Sequence, residues 1–74
     1  MEYYERLKII RTGKNITQEE LGKKIGISKQ QYSKYENGTH LIPIPYLIKI
    51  CNELKVSSDY ILGIPKNYMY PPFE

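Results

Sequence analysis

The chain has 74 residues, a length that suits a single domain near the small end of what can bury its own core. A hydrophobic fraction of 41% argues against disorder, and no run of roughly 18 or more apolar residues is present to span a membrane. The net charge of +3 permits nucleic acid as a partner without requiring it.

Secretion, disulfides and metal binding are all disfavoured by the composition. The N-terminal segment MEYYERLK is charged and lacks the apolar stretch of a secretory signal. A single cysteine cannot form an internal disulfide, and with a single histidine it offers no metal cluster. We therefore predict a cytoplasmic protein with no metal and no other cofactor.

The first predicted helix runs from Met1 to Gly13. Tyr3, Leu7 and Ile10 recur at helical spacing and predict its buried stripe. Asn15 suits the left-handed position that follows a helix. The solvated face is assigned to Glu2, Glu5, Arg6 and Lys8.

Two short helices joined by a tight turn are predicted over residues 17–38. Thr17 is an N-cap, and Glu20 three residues later completes a capping box that starts the first helix of the pair. Ser28 starts the second helix, and Gln31 at the same spacing predicts a second capping box.

The turn and the faces of this pair follow from the residues between the caps. Gly26 ends the first helix, and Asn37 with Gly38 ends the second. Tyr32 and Tyr35 are predicted to face inward. The arrangement is a helix-turn-helix. The outward face of its second helix contains no acidic residue. It is formed by Lys29, Gln30, Gln31, Ser33 and Lys34.

The stretch TQEEL, followed by GIS and YSKYENG, resembles the lambda-repressor-like DNA-binding domains, also called the XRE or Cro/C1 family. The capped start, the turn and the exit lie at that family's spacing, and the resemblance covers roughly residues 3 to 63. It implies an all-α, compact five-helix domain with the helix-turn-helix at its second and third helices. We assign residues 1–65 to this domain and residues 66–74 to a short tail containing aromatic residues and proline.

The resemblance also implies which residues contact double-stranded DNA. The recognition helix, residues 28–36, would lie in the major groove, with base-reading positions at Lys29, Gln30 and Lys34. Gln18 matches a phosphate-contacting glutamine at the start of the preceding helix. The other expected DNA contacts are Ser28, Gln31, Ser33, Asn37 and Thr39.

The loop after the recognition helix departs from the family pattern. The family often carries lysine or arginine there, whereas this chain has Thr39 and His40, which predicts a weaker hold on phosphate. His40 is expected to be an exposed loop residue. The family pattern also pairs Arg11 with Glu36 as a structural ion pair, and the alternative is that both are free surface charges.

Two further helices are predicted. Proline is tolerated in a first helical turn, so Pro43 and Pro45 open the fourth helix. Ser57 caps the fifth helix, which covers residues 58–62, and Gly63 ends it. The inward stripe of the fourth helix is assigned to Leu47, Ile50, Cys51 and Leu54, with Cys51 as a small buried hydrophobe.

These features predict a sequence-specific DNA-binding transcriptional regulator, expected to be a repressor, that acts as a homodimer on a near-palindromic operator. Half-sites would lie about 10 bp apart. The fifth helix, with Tyr60, Ile61 and Leu62, is the expected interface. The tail residues Tyr68, Met69, Tyr70 and Phe73 either fray, or pack on the body of the domain or across the dimer.

The sequence leaves one alternative function open and disfavours another. The same fold could serve as a protein-partner module of the antitoxin or antirepressor type, and the aromatic tail motivates that alternative. An enzyme is not expected, because the sequence offers no paired carboxylates on a plausible cleft wall, no phosphate-binding glycine loop and no Ser/His/Asp or Cys/His set that the helices would bring together. For the same reason no small-molecule substrate is expected.

Overall fold

A computed structural model of the chain describes residues 1–68, which form five α-helices. In order they are α1 (Tyr3–Gly13), α2 (Gln18–Ile25), α3 (Lys29–Glu36), α4 (Ile44–Leu54) and α5 (Ser58–Leu62). The predicted all-α architecture and its five helices are confirmed over this part of the chain. The predictions for Met69, Tyr70 and Phe73 lie outside the described residues.

The core receives a fully buried side chain from every helix. Leu7 comes from α1, Leu21 from α2, Tyr32 from α3, Ile50 from α4 and Ile61 from α5. Burying a large apolar side chain contributes about 1.5–3 kcal/mol, so these five residues hold the helices together. α2 packs on both α3 and α4, and α1 packs on α3 and α5, which leaves the outer side of α3 uncovered.

Some residues predicted to be inward lie at the edge of the core. Tyr3, Ile10 and Cys51 are half-buried and pack against it. The first helix also begins two residues later than predicted, at Tyr3, because Glu5 Oε1 accepts a hydrogen bond from the Glu2 N–H at 2.9 Å and Glu2 is therefore the cap.

Arg6 was predicted to be solvated, and this is wrong. Its Nε donates to the Ile61 carbonyl oxygen at 2.8 Å, and its Nη1 donates to the Met1 carbonyl oxygen at 2.8 Å. The last carbonyls of a helix have no intrahelical donor, so a cation at the end of α5 satisfies one of them. Arg6 thereby ties α1 to α5. Glu2, Glu5 and Lys8 are exposed as predicted.

Two glycines permit close approaches around the helix pair. A Cβ at Gly22 would lie 3.1 Å from the Ile27 carbonyl oxygen, so the turn after α2 folds tightly against that helix. Gly38 has φ of 83°, and a Cβ there would meet the ring of Tyr4 at 2.6 Å. Asn15 adopts the predicted left-handed conformation, with φ of 59°.

None of the helices formed by residues 1–68 has the length and apolar character needed to cross a membrane. Within the same residues, no group of three or more histidine, cysteine, aspartate or glutamate side chains is arranged to hold a metal ion.

Candidate DNA interface

The start of α2 is fixed by the capping box that the sequence predicts. Thr17 Oγ1 accepts from the Glu20 N–H at 3.0 Å, and Glu20 Oε1 accepts from the Thr17 N–H at 3.0 Å. The hydrogen bonds from Thr17 hold the pKa of the exposed Glu20 carboxyl below its usual value. Two of the free donors at the helix start are thereby satisfied, and the first residue inside the helix, Gln18, has a fixed position.

The start of α3 is capped by one bond rather than two. Ser28 Oγ accepts from the Gln31 N–H at 3.1 Å, but among residues 1–68 the Gln31 side chain makes no return bond to Ser28. The predicted cap by Ser28 is therefore confirmed, but the predicted return bond from the Gln31 side chain is wrong. The amide of Gln31 keeps its donors and acceptor, and the Ser28 hydroxyl proton also remains available to a ligand.

The outer face of α3, formed by Lys29, Gln30 and Lys34, is exposed. Within residues 1–68 these three side chains make no hydrogen bond and no ion pair. Ser33, also predicted as a contact, is half-buried. A short capped helix thus presents two cations and one amide to solvent, the side-chain types that bind base edges and phosphates.

The residues after α3 form a tight polar turn. Asn37 Oδ1 accepts from the Thr39 N–H at 2.9 Å and from the Thr39 hydroxyl at 2.5 Å. The His40 N–H donates to the Lys34 carbonyl oxygen at 3.1 Å, and the His40 side chain is exposed as predicted. Asn37 and Thr39 therefore bind each other, and the Asn37 amide N–H groups remain as free donors at this end of the surface.

Behind the outer face lies a buried ion pair. Arg11 Nε donates to Glu36 Oε2 at 2.8 Å, and Arg11 Nη2 donates to Glu36 Oε1 at 2.7 Å. The two residues are only 7% and 4% exposed, so the pair that the sequence predicts is present and the alternative of two free surface charges is wrong. Arg11 Nη1 also donates to the Ile16 carbonyl oxygen at 2.6 Å. The pair links α1 to the end of α3 by two parallel bonds.

Two further side chains bind the same carboxylate. The Tyr32 hydroxyl donates to Glu36 Oε2 at 2.6 Å, and Gln18 Nε2 donates to Glu36 Oε1 at 3.1 Å. The sequence indicates Tyr32 only as a core residue and Gln18 only as a DNA contact. The four-residue spacing of Tyr32 and Glu36 on one helix was the signal for the first bond. The second joins residues 18 apart and had no local signal.

The hydrogen bonds decide the charge state of this cluster. Burial acts to raise the pKa of the Glu36 carboxyl, but donation from Arg11, Tyr32 and Gln18 outweighs it and the pKa lies below its usual value. Burial and the bond to Glu36 raise the pKa of the Tyr32 hydroxyl. The hydrogen bond to Glu36 raises the pKa of Arg11. At neutral pH the cluster therefore holds a carboxylate, a guanidinium and a neutral phenol.

A second uncovered surface is formed by apolar residues of α4, α5 and the loop before α4. Leu41, Ile44 and Ile48 are 82%, 64% and 55% exposed, and Leu62 is 39% exposed. We call these four residues the apolar face. Two shallow grooves run along it, and neither contains a charged residue. Besides the apolar face they are lined by Tyr3, Ile42, Leu47, Cys51, Asn52 and Ser58.

The apolar face only partly matches the predicted interface on the fifth helix. Ile61 is fully buried and unavailable to a partner, because its side chain belongs to the core. Leu62 is on the face, whereas Tyr60 lines a separate groove with Arg6. Cys51 lies at the edge of the face, and burial raises the pKa of its thiol, as expected for a small hydrophobe rather than a nucleophile.

A helix-turn-helix family model matches residues 7–61, which include the capped helix pair and the buried ion pair. The chain belongs to the Cro/C1-type helix-turn-helix family. This is a family of DNA-binding regulators and not of enzymes.

Individual relatives agree with this assignment. The chain is 39% identical to the HTH-type transcriptional regulator YobD of Bacillus subtilis over 84% of this chain and 55% of that protein. It is 40% identical to the cryptic phage CTXphi transcriptional repressor RstR of Vibrio cholerae over 85% of this chain and 56% of that protein. The chain therefore spans about half the length of the curated relatives it matches.

A solved structure gives the same fold. The P22 c2 repressor, crystallised with a synthetic operator, superposes with a TM-score of 0.78 at 29% identity, over 84% of this chain and 94% of that chain. The lambda-repressor-like fold predicted from the sequence is thus confirmed.

Proposed function

We propose that this chain is the DNA-binding part of a transcriptional regulator and that it reads a specific duplex sequence with α3 in the major groove. The observation that carries the proposal is the exposed outer face of α3, whose donors have no partner among residues 1–68. An uncompensated row of donors on a rigid helix suits a ligand rich in acceptors, and base edges and phosphates are such a ligand. Its place of action is then the cytoplasm.

Separate roles follow from the chemistry of the three side chains. Gln30 can donate to adenine N7 and accept from its N6 amino group, which is a base-specific pair. Lys29 and Lys34 can donate to guanine O6 and N7 or to a phosphate. Gln18 and Asn37, at the two ends of the surface, are proposed to donate to phosphates and so fix the register of α3 on the duplex. Ser28, Gln31, Ser33 and Thr39 are proposed as supporting contacts.

Selection from a random duplex library tests this proposal, with purified chain and a fixed, near-physiological salt concentration. Salt is fixed because non-specific phosphate binding falls steeply as salt rises. We expect a motif whose recovered bases match the chemistry of Gln30 and the two lysines. Recovery of no motif, with binding that disappears as salt rises, would overturn the proposal and favour a protein-partner module instead.

We further infer that the regulator binds a near-palindromic operator as a homodimer, with repression as the expected outcome. One copy of α3 reads few base pairs, and a second copy about 10 bp away doubles the contacts. The apolar face supports this inference. A chain of net charge +3 repels its own copy, so a surface without charged residues is where two copies can pack.

Sedimentation with and without the selected operator tests the dimer. Ile48→Glu should convert the complex from two chains per operator to one, because it places a charged carboxylate on the apolar face that the two copies are proposed to bury. Ile9→Glu is the matched control, since Ile9 on α1 has 54% exposure against 55% for Ile48 and lines neither groove. A wild-type monomer at high concentration, on and off the operator, would contradict the homodimer.

A further inference from the structure

A groove of about 400 Å³ lies where α1 meets α5 and the chain that follows α5. We call it the Arg6 groove, and its lining includes Arg6, Tyr60, Gly63, Ile64 and Pro65. It shares no residue with the grooves along the apolar face. Tyr60 and Ile64 are 58% and 40% exposed, so residues 1–68 leave apolar surface uncovered here.

Arg6 brings unused hydrogen-bond donors to this groove. A guanidinium carries five N–H groups, and within residues 1–68 two of them are used, by the carbonyl oxygens of Ile61 and Met1. Nη2 lies against the bare backbone of Gly63, where a Cβ would be only 2.6 Å away. Arg6 is thus held in place by two bonds while its other donors remain available to an acceptor in the groove.

The chain reverses direction at the edge of the groove. The Tyr68 N–H donates to the Pro65 carbonyl oxygen at 3.4 Å, which closes a turn over residues 65–68. The next residues, 69–74, have the sequence MYPPFE and lie outside the described part of the chain. A segment that leaves this turn is directed back toward the residues before Pro65, which line the groove. Six residues reach at most roughly 20 Å, so nearby surfaces alone are accessible to it.

The segment after the turn is chemically complementary to the groove. Pro71 and Pro72 contribute carbonyl acceptors and no N–H donors. A residue that precedes proline favours an extended backbone, so the sequence YPPF favours a polyproline II conformation. Proteins bind such segments in grooves lined by aromatic rings. In the Arg6 groove Tyr60 supplies the ring, and Arg6 supplies donors for the carbonyl groups.

We propose that residues 69–74 bind in the Arg6 groove of their own chain. The two prolines and Phe73 cover Tyr60 and Ile64, and a carbonyl oxygen of the segment accepts a hydrogen bond from Arg6 Nη2. Because a short tether gives an effective concentration on the order of millimolar, a weak contact is sufficient. The apolar face then stays uncovered for a second copy of the chain, and the tail takes no part in the homodimer interface.

The test uses the full chain with one fluorescent probe. The chain contains no tryptophan, so Phe73→Trp places a single indole in the segment. The comparison chain also carries Pro71→Ser and Pro72→Ser, which restore N–H groups and change no residue of the five helices. Binding shields the indole from solvent. We expect its acrylamide quenching constant to be at least about threefold lower than in the comparison chain.

Three further substitutions in the Phe73→Trp chain locate the bound segment. Tyr60→Ser should raise the quenching constant to that of the comparison chain. Ile9→Ser and Ile48→Ser are matched controls, because these residues are 54% and 55% exposed against 58% for Tyr60. Ile9 lines none of the three grooves and Ile48 belongs to the apolar face. Both controls should leave the quenching constant unchanged.

Three results would contradict the proposal. A quenching constant as high in the Phe73→Trp chain as in the comparison chain would mean that the segment is not bound. An increase with Ile48→Ser and none with Tyr60→Ser would place it on the apolar face. Shielding that is lost on dilution would mean that the segment binds another copy. None of these outcomes affects the proposed DNA binding, which the duplex selection tests separately.

Discussion

The two sides of α3 differ in how their polar groups are satisfied. On the inner side, Tyr32 is fully buried and Glu36 accepts four hydrogen bonds from three side chains. On the outer side, Lys29, Gln30 and Lys34 are exposed and make no bond within residues 1–68. The eight residues of α3 are thus held in place by hydrogen bonds on their inner side, while the polar side chains on their outer side remain available to a ligand. The difference indicates a rigid platform for side chains whose partners are supplied by another molecule.

Breaking the inner side should have the largest effect. Arg11→Ala leaves the Glu36 carboxylate buried without its cation, and breaking such a pair costs about 3–5 kcal/mol. We expect the free energy of unfolding, measured with denaturant, to fall by that amount. Lys8→Ala, an exposed lysine on the same helix, is the control and should change it by less than about 0.5 kcal/mol. Equal and small losses in the two variants would mean that the pair contributes no more than a surface contact.

Acid should disrupt the hydrogen bonds and ion pair of Glu36 in the wild-type chain, because it protonates the carboxylate. The pKa of Glu36 is lower in the folded chain than in the unfolded one, so the unfolded state binds more protons between the two values. The stability from this group is complete above the unfolded pKa of about 4.3 and is lost as the pH falls through the folded pKa. Denaturant unfolding at a series of pH values below about 5 should show this decline.

Glu36→Gln sharpens the acid experiment, because it removes the titrating group. Its stability at neutral pH will be lower, but the slope of stability against pH should be flatter than that of the wild type over the same range. An identical slope would assign the acid sensitivity to other carboxylates, among which Glu20 also has a lowered pKa in its exposed capping box.

Local patterns predicted most of the fold because most of it is built from local interactions. The Thr17 box, the Ser57 cap and the glycine at 63 each act within a few residues, so helix bounds could be read from the sequence. The prediction of a second capping box was wrong in part, because the Gln31 side chain makes no hydrogen bond back to the Ser28 N–H. The remainder depends on residues far apart in the chain. The bond from Arg6 to the Ile61 carbonyl spans 55 residues, and no periodicity indicates it.

The candidate site divides in the same way. Outward positions on α3 follow from its helical period, which gives Lys29, Gln30 and Lys34 from the sequence alone. The Gln18 bond to Glu36 depends on how two helices cross, and the apolar face depends on which parts of α4 and α5 the other helices leave uncovered. The DNA contacts themselves remain predictions.

Substitutions on the outer side of α3 should not change the free energy of unfolding. They should separate DNA binding into a base-specific component and a phosphate component. Gln30→Ala removes a group that can discriminate adenine, so it should cost about 1–3 kcal/mol on the selected operator and little on unrelated duplex. Lys34→Ala removes a charge. If Lys34 binds phosphate, affinity should fall on every sequence alike, and the slope of log affinity against log salt should decrease by about 1.

The same two variants decide which role Lys34 has. A loss confined to the selected operator, with an unchanged salt slope, would make Lys34 a base reader like Gln30. The free energy of unfolding, measured in parallel, should differ from the wild type by less than about 0.5 kcal/mol for both variants, because neither exposed side chain makes a hydrogen bond or an ion pair within residues 1–68. A larger loss of stability would show that the outer side is not independent of the inner one. The weaker binding would then follow from a disturbed α3 rather than from a missing contact.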